Sequence, residues 1–256
     1  LNLEQPDSVF MQKRFKDVTQ HIYEGKANED WNIGNDDGTA DNGSFVVDYG
    51  WKVTPNKNDL TNLFDYMSDF IPADWYKGMT NVTNRTLLIR AFAVENFLGH
   101  WDSYSGPLKN NYFLRSNTKG VFTYIPWGTD QTFGENRQTE KLGDTFYLPM
   151  LSETSTHPWD QRKNYRGKAF VNCINYTPCK RAYLTELKAV SAKATSMKLG
   201  AQMQAVAKVI NPVLAIQFKN SPSKMTLARD EQARSIGFIA KRQAQVATLL
   251  KANNIK

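Results

Sequence analysis

Three oxygen-bearing side chains follow one another within a short stretch of the chain, residues 100–134. Asp102 comes after an apolar helical run, Asn111 opens a strand-like segment, and Asp130 follows a second one. Carboxylate and amide oxygens are ligands that suit Mg²⁺, which fills its remaining positions with water and phosphate oxygens. Phosphoryl transfer needs metal clamps on the phosphates and a carboxylate beside the attacking hydroxyl. The set therefore predicts a phosphoryl-transfer site.

A helix and a β-hairpin must position these three side chains. An apolar repeat of about 3.6 residues predicts a helix over residues 75–98. The segments NYFLR and VFTYI, separated by a polar turn, predict the two strands of a hairpin. Because the start of one strand meets the end of the other, we expect Asn111 and Asp130 at the same open end. A catalytic Asp, a metal-binding Asn and a metal-binding Asp have this order in protein kinases.

Each of these residues also has a structural interpretation. An Asp after a helix end is usually a cap or turn residue, and an Asn before a strand usually satisfies backbone donors. His100, two residues before Asp102, is favoured as a structural hydrogen-bonding residue over a base. The order of the whole set around a hairpin is what favours the functional interpretation.

The rest of the chain is predicted to be mostly helical, which makes the predicted fold class α+β. Residues 134–175 show no regular pattern. One further helix is predicted to begin near Asp7 or Ser8. Three others are predicted over residues 58–70, 180–210 and 226–251, with Pro212 marking the break between the last two.

Composition excludes several classes of protein. A chain of 256 residues that is 41% hydrophobic can bury a sizeable core and is not disordered. We find no run of about 18 apolar residues and therefore predict no membrane span. The start, LNLEQPD, has neither a Met nor a signal-peptide pattern, so we expect the chain to be a fragment.

The net charge of +7 is concentrated in the C-terminal helices. Residues 180–256 hold 14 Lys and Arg against three Asp and Glu. A solvated basic face is the favoured interpretation, and a surface for an anionic polymer is the alternative. No nucleic-acid-binding fingerprint accompanies the charge, so we expect no nucleic-acid partner.

Two further features allow alternatives. Cys173 and Cys179 flank INYTP, so they fit either a small-loop disulfide in an extracellular protein or two buried thiols. Residues 28–43 form a polar, acidic, glycine-containing loop, which is either a solvated loop or a Ca²⁺ loop without EF-hand spacing. The candidate Ca²⁺ ligands are Asp30, Asn35, Asp37 and Asp41.

These motifs together resemble the CotH kinases, a family with an atypical protein-kinase-like fold that is named after a spore-coat protein. The resemblance runs through the helix ending in WD, the NNYFL strand, the GVFTYIPWGTDQTFG segment, the cysteine pair with its following helix, and the Arg-containing last helix. It implies that Asp102 is the catalytic Asp, and that Asn111 and Asp130 bind the metal and the nucleotide. ATP and Mg²⁺ or Mn²⁺ are the implied cofactors.

The sequence departs from this family at one position in the site. The common pattern PWD-x-D is PWGTD here, so Gly128 stands where many members have a carboxylate. If that carboxylate assists the metal elsewhere, metal binding by this chain would be weaker.

The start of the chain resembles the hinge between the two lobes of a kinase. On that basis residues 1–20 are a hinge-like start, and the nucleotide-covering small lobe is expected before Leu1. The 256 residues would then be one CotH-kinase-like domain, mainly the helical large lobe. Glu4 is predicted to lie at the adenine edge of the cleft.

Two functions are compatible with these features. One is an ATP- and metal-dependent kinase that phosphorylates hydroxyl groups of a protein substrate. The alternative is a catalytically silent, kinase-like scaffold that binds partners as a surface, coat or adhesion protein. Both predict a secreted or cell-surface location, with the spore coat as one example.

Overall fold

Eight helices and six strands make up the part of the chain that the structure, a computed structural model, describes. This part consists of residues 5–17, 20–26, 29–31, 45–50, 52–68, 71–130, 132–134, 148–156 and 163–255. The helices are α1 (Ser8–Arg14), α2 (Asn58–Ser68), α3 (Pro72–Val82), α4 (Arg85–Leu98), α5 (Lys168–Asn175), α6 (Thr177–Ser196), α7 (Leu199–Gln217) and α8 (Pro222–Ala252). The strands are β1 (Ile22–Gly25), β2 (Val46–Tyr49), β3 (Tyr112–Ser116), β4 (Phe122–Pro126), β5 (Thr154–Thr156) and β6 (Lys163–Tyr165). This mixture of helices and a small antiparallel sheet agrees with the predicted α+β class.

The predicted hairpin is present as β3 and β4, and it belongs to a larger sheet. The four strands are antiparallel in the order β2-β1-β3-β4. Gly25 of β1 lies opposite Tyr112 of β3, and the Tyr112 ring covers the space that a side chain would occupy. The strands β1 and β2 were not predicted, since each has only four residues and β1 contains a glycine.

The prediction of a single helix over residues 75–98 is wrong, because the structure has two helices there, α3 and α4. The division follows from Asn84, whose side chain accepts a hydrogen bond from the Leu87 amide and caps α4. The Asn84 amide donates to the Phe122 carbonyl at 2.7 Å. The break therefore fixes the start of α4 against β4.

Two predictions in the second half are also wrong. Pro212 lies inside α7 and does not end it; the interruptions fall instead at Lys198, which has φ of +50°, and at residues 218–221. The stretch predicted as irregular contains β5, β6 and α5. Among the described residues, one helix, α7, is long and apolar enough by its length and composition to cross a membrane, and almost none of it is buried inside the protein.

Aromatic side chains fill the space between the sheet and α4. Tyr104 stacks on Trp31 with ring centroids 4.3 Å apart, and Tyr112 stacks on Tyr124 at 5.5 Å. Phe92 of α4 meets Tyr124 edge to face. Large, fully buried rings with defined mutual geometry make this a rigid base for the loop that follows α4.

Cys173 and Cys179 form a disulfide, which decides between the two alternatives for this pair. Both residues are fully buried, and the bond links α5 to α6 across the turn at Tyr176. The double substitution Cys173→Ser and Cys179→Ser should lower the free energy of unfolding by about 2 kcal/mol, because the closed loop is short. A thermal melt should show a midpoint lower by about 4–8 °C.

Reducing agent provides the control for this prediction. It should lower the melting midpoint of the wild type to that of the double variant and leave the variant unchanged. A double variant that melts with the wild type under oxidising conditions would contradict the expectation.

Candidate active site

The loop that carries Asp102 begins where α4 ends. Gly99 adopts a left-handed conformation with φ of +68°, and the His100 amide donates to the Glu95 carbonyl at 2.8 Å. A Cβ atom on Gly99 would lie 2.9 Å from the Phe238 ring, so glycine is needed both for the backbone and for this contact. The helix end therefore directs the following residues, including Asp102, towards the hairpin.

Asp102 and Asn111 are in direct contact. The Asn111 side-chain nitrogen donates to the Asp102 carboxylate at 2.8 Å and to the Asp102 carbonyl at 2.9 Å. Asn110 donates to the other carboxylate oxygen at 3.1 Å. The Asp102 residue is only 7% exposed, so these two amides replace much of its contact with water. The structure thus brings together two of the three residues predicted from the sequence.

The open end of the hairpin holds Asn111 against Gly128. The Trp127 amide donates to the Asn111 carbonyl at 3.0 Å, directly beyond the last paired residues of β3 and β4. Gly128 has φ of +59°, and a Cβ atom there would lie 2.6 Å from Asn111 Cγ and 2.7 Å from its Oδ1. Any side chain at position 128 would therefore clash with the Asn111 amide oxygen, and glycine avoids this clash.

Asp130 is exposed and lies near His100. The His100 ring is fully buried, and burial lowers its pKa to about 4, while the Gly128 backbone and the Asp130 charge act in the opposite direction. Neither ring nitrogen makes a hydrogen bond of good geometry with a described residue, although Gly128 is close enough to influence the ring. A buried, neutral imidazole favours the structural role that the sequence suggested.

A buried arginine, Arg166, holds the loop that carries Asp102 by hydrogen bonds. Its guanidinium donates to the Ser105 carbonyl, to the Asn96 side-chain oxygen, and to the carbonyls of Pro149 and Ser152. Burial lowers the pKa of Arg166 to about 10, so the group stays charged near neutral pH. It joins α4, the loop after it and residues 149–152 in one network.

Glu95 completes this support from inside α4. Its carboxyl accepts hydrogen bonds from the hydroxyls of Ser105 and Tyr124, each at 2.5 Å. Burial raises the pKa of Glu95, with the hydrogen bonds opposing the shift. Sequence reasoning missed Glu95 and Arg166; the available signal was a carboxylate in the middle of an apolar helix, which requires partners when buried.

The predicted metal ligands fit a divalent cation by their chemistry. Among the described residues, no group of three or more His, Cys, Asp or Glu side chains could hold a metal. The predicted metal ligands are of a different kind, because they combine one carboxylate, that of Asp130, with the side-chain amide of Asn111. Both amide hydrogens of Asn111 point to Asp102, so its Oδ1 lies on the side of Gly128 and takes part in neither of these hydrogen bonds.

The other predicted ligands have a different outcome. The Asp30 carboxylate accepts hydrogen bonds from the Tyr104 hydroxyl at 2.8 Å and from the Lys168 amide at 2.9 and 3.1 Å. It thereby satisfies the first amide of α5, a structural role for a carboxylate that the sequence offered only as a candidate Ca²⁺ ligand. Glu4, Asn35, Asp37 and Asp41 lie outside the described residues.

Comparison with known proteins identifies the family of the chain. The family model described as CotH kinase protein matches residues 1–246 of the chain. The chain belongs to this family. No curated protein matches it. The match includes Asp102, Asn111 and Asp130, so the resemblance expected from the hairpin motifs is confirmed at the level of the family.

Gly128 is packed against Asn111 at the open end of the hairpin. Gly128→Ala should lower the free energy of unfolding by about 1–3 kcal/mol, because the new Cβ meets Asn111 and the backbone is left-handed. Urea denaturation measures the change. Gly200→Ala is the matched control: a Cβ there meets nothing within 4 Å, and the change should be neutral or stabilising. Equal destabilisation of both variants would contradict the role assigned to Gly128.

Proposed function

We propose that this chain carries the catalytic and metal-binding residues of an ATP- and divalent-metal-dependent protein kinase. The observation that supports the proposal most is the contact between Asp102 and Asn111, which joins an aspartate and an asparagine in the order used for phosphoryl transfer. Family membership supports the same class of reaction. The acceptor would be a hydroxyl group on a protein.

Asp102 is the proposed base. Its carboxylate is held by Asn110 and Asn111, which fix its direction without neutralising its charge. A carboxylate positioned this way can accept the proton of a substrate hydroxyl as phosphate is transferred. The same two hydrogen bonds make the base a rigid group, because reorienting it would break contacts inside a mostly buried loop.

Asn111 and Asp130 are the proposed metal ligands. Asn111 would contribute Oδ1 and Asp130 its exposed carboxylate. A bound Mg²⁺ or Mn²⁺ would neutralise charge on the phosphates of ATP. Gly128 offers no third oxygen from its side chain, so we expect the affinity for the metal to depend strongly on Asp130.

A thermal melt tests this assignment. ATP with Mg²⁺ at about 100 times its Kd should raise the melting midpoint by about 5–10 °C. The shift should disappear when Asp130 is replaced by alanine, and ATP with a chelator of Mg²⁺ is the matched control without metal. Asp65→Ala, at an exposed position of α2, should retain the shift.

A silent scaffold is the second candidate, and Gly128 is the observation that favours it. A scaffold that has lost nucleotide binding would show no shift with ATP and metal in the wild type. Its Asp130→Ala variant would melt at the same temperature with and without the ligands.

We propose a secreted or cell-surface location, including the coat of a spore, and a protein substrate or coat partner. The Cys173–Cys179 disulfide supports a location outside the reducing cytosol. Fractionation of the native host, followed by detection of the protein outside the cell membrane, tests the location.

A further inference from the structure

The outer face of α7 presents a stripe of exposed apolar side chains. Val206, Val209, Val213 and Ile216 are 58%, 74%, 63% and 79% exposed. Their spacing of three, four and three residues places them on one side of the helix. Large apolar side chains scattered singly are normal on a protein surface, whereas four on one helical face indicate a surface that is covered by something.

The other face of α7 is already in use. Leu199 and Met203 pack against the core, and the helix as a whole lies against α8. No residue of α7 is buried. Apolar side chains on the side of a helix opposite its packing face remain in contact with water, so they do not stabilise the fold. We call the four exposed side chains of Val206, Val209, Val213 and Ile216 the outer stripe. The outer stripe is therefore available for contact with an apolar partner.

The charges around the outer stripe indicate which kind of partner it contacts. Residues 187–231 contain seven Lys and Arg against two acidic residues, Asp230 and Glu231, at the end of that range. Within and beside α7 these include Lys198, Lys208 and Lys219. A second copy of the chain would bring an equal positive charge to the contact and be repelled. An anionic partner with an apolar interior is complementary to both properties.

We propose that the outer stripe binds the surface of a membrane containing anionic phospholipids. In this arrangement α7 lies in the plane of the interface, with its apolar side chains among the acyl chains and its lysines at the headgroups. It does not cross the bilayer, because Lys208 lies in the middle of the helix and the opposite face is packed on α8. This inference is independent of the proposed kinase activity.

Vesicle co-sedimentation of the 256-residue protein tests the proposal. The probes are vesicles of phosphatidylcholine alone and of phosphatidylcholine with phosphatidylglycerol at 7:3. The protein should partition to the anionic vesicles about tenfold more strongly, or better, than to the neutral ones. Failure to bind the anionic vesicles at low ionic strength would overturn the proposal.

Substitutions that leave the charge unchanged separate the apolar contribution from the basic one. Val209→Gln with Val213→Gln should lower partitioning to anionic vesicles about tenfold, since two apolar side chains leave the interface. Glutamine favours a helix more than valine, so α7 should remain folded. Ile71→Gln is the matched control, because Ile71 is 64% exposed at the start of α3 and should leave binding unchanged.

Two results would contradict the role of the outer stripe. Equal vesicle binding by the double variant and the wild type would assign the interaction to basic residues alone. A dimer of the wild type in light scattering without vesicles, which the double variant converts to a monomer, would show that a second copy covers the stripe instead.

Discussion

We expect Asp102→Asn to lower the rate of phosphate transfer from ATP by about 10²- to 10⁴-fold. The substitution keeps the shape of the side chain and one oxygen that can accept a hydrogen bond from Asn111. It removes the negative charge and the proton acceptor that the transfer requires. Incorporation of radiolabelled phosphate into casein, with Mg²⁺ or Mn²⁺ present, measures the rate.

The matched control is Asp65→Asn, at an exposed position of α2 that lacks any part in the proposed site. Its transfer rate should equal that of the wild type. The Asp102→Asn variant should melt within a few degrees of the wild type, which separates a chemical defect from loss of the fold. Transfer that continues unchanged in a folded Asp102→Asn protein would refute the role of Asp102 as the base.

Arg166→Met should cause the largest loss of stability, about 3–5 kcal/mol. Arg166 is 1% exposed, and its guanidinium binds three backbone carbonyls and the Asn96 side chain. Methionine fills part of the volume but leaves these buried acceptors without donors. Urea denaturation gives the free energy of unfolding of both proteins.

Arg90→Met supplies the comparison for this result. Arg90 pairs with Glu186 at 2.9 Å, but its side chain is 52% exposed, so its loss should cost less than about 1 kcal/mol. A similar small effect in Arg166→Met would mean that the network under the Asp102 loop contributes little to the fold.

The part of the site that sequence could predict is the part built from neighbouring residues. The helix stop at Gly99 and the hairpin of β3 and β4 are local signals, and they brought Asp102 and Asn111 together as expected. The role of Gly128 was harder to predict. Its φ of +59° and its contact with Asn111 depend on how two strands end beside each other.

Contacts between distant segments could not be predicted in the same way. Arg166 stood in a polar, irregular stretch, and its partner Asn96 is 70 positions earlier in the chain. Asp30 satisfies an amide at Lys168, 138 positions away. Periodicity and turn chemistry describe only a few neighbouring residues, so they contain no information on such pairs. The short strand β1 gave no clear local signal, and its register is likewise set by a distant segment, β3.

The position of β1 in the sheet has a consequence for biosynthesis. Ile22 pairs with Arg115, so β1 leaves the ribosome about ninety residues before the strand beside it. The hairpin of β3 and β4 can close within microseconds once both strands have emerged, but β1 must dock onto it over a long loop. Until β3 emerges, β1 can pair with β2, the strand that follows it in the chain, but not with its other neighbour in the sheet. The sheet, and the site at its end, therefore cannot assemble before β3 and β4 have been translated.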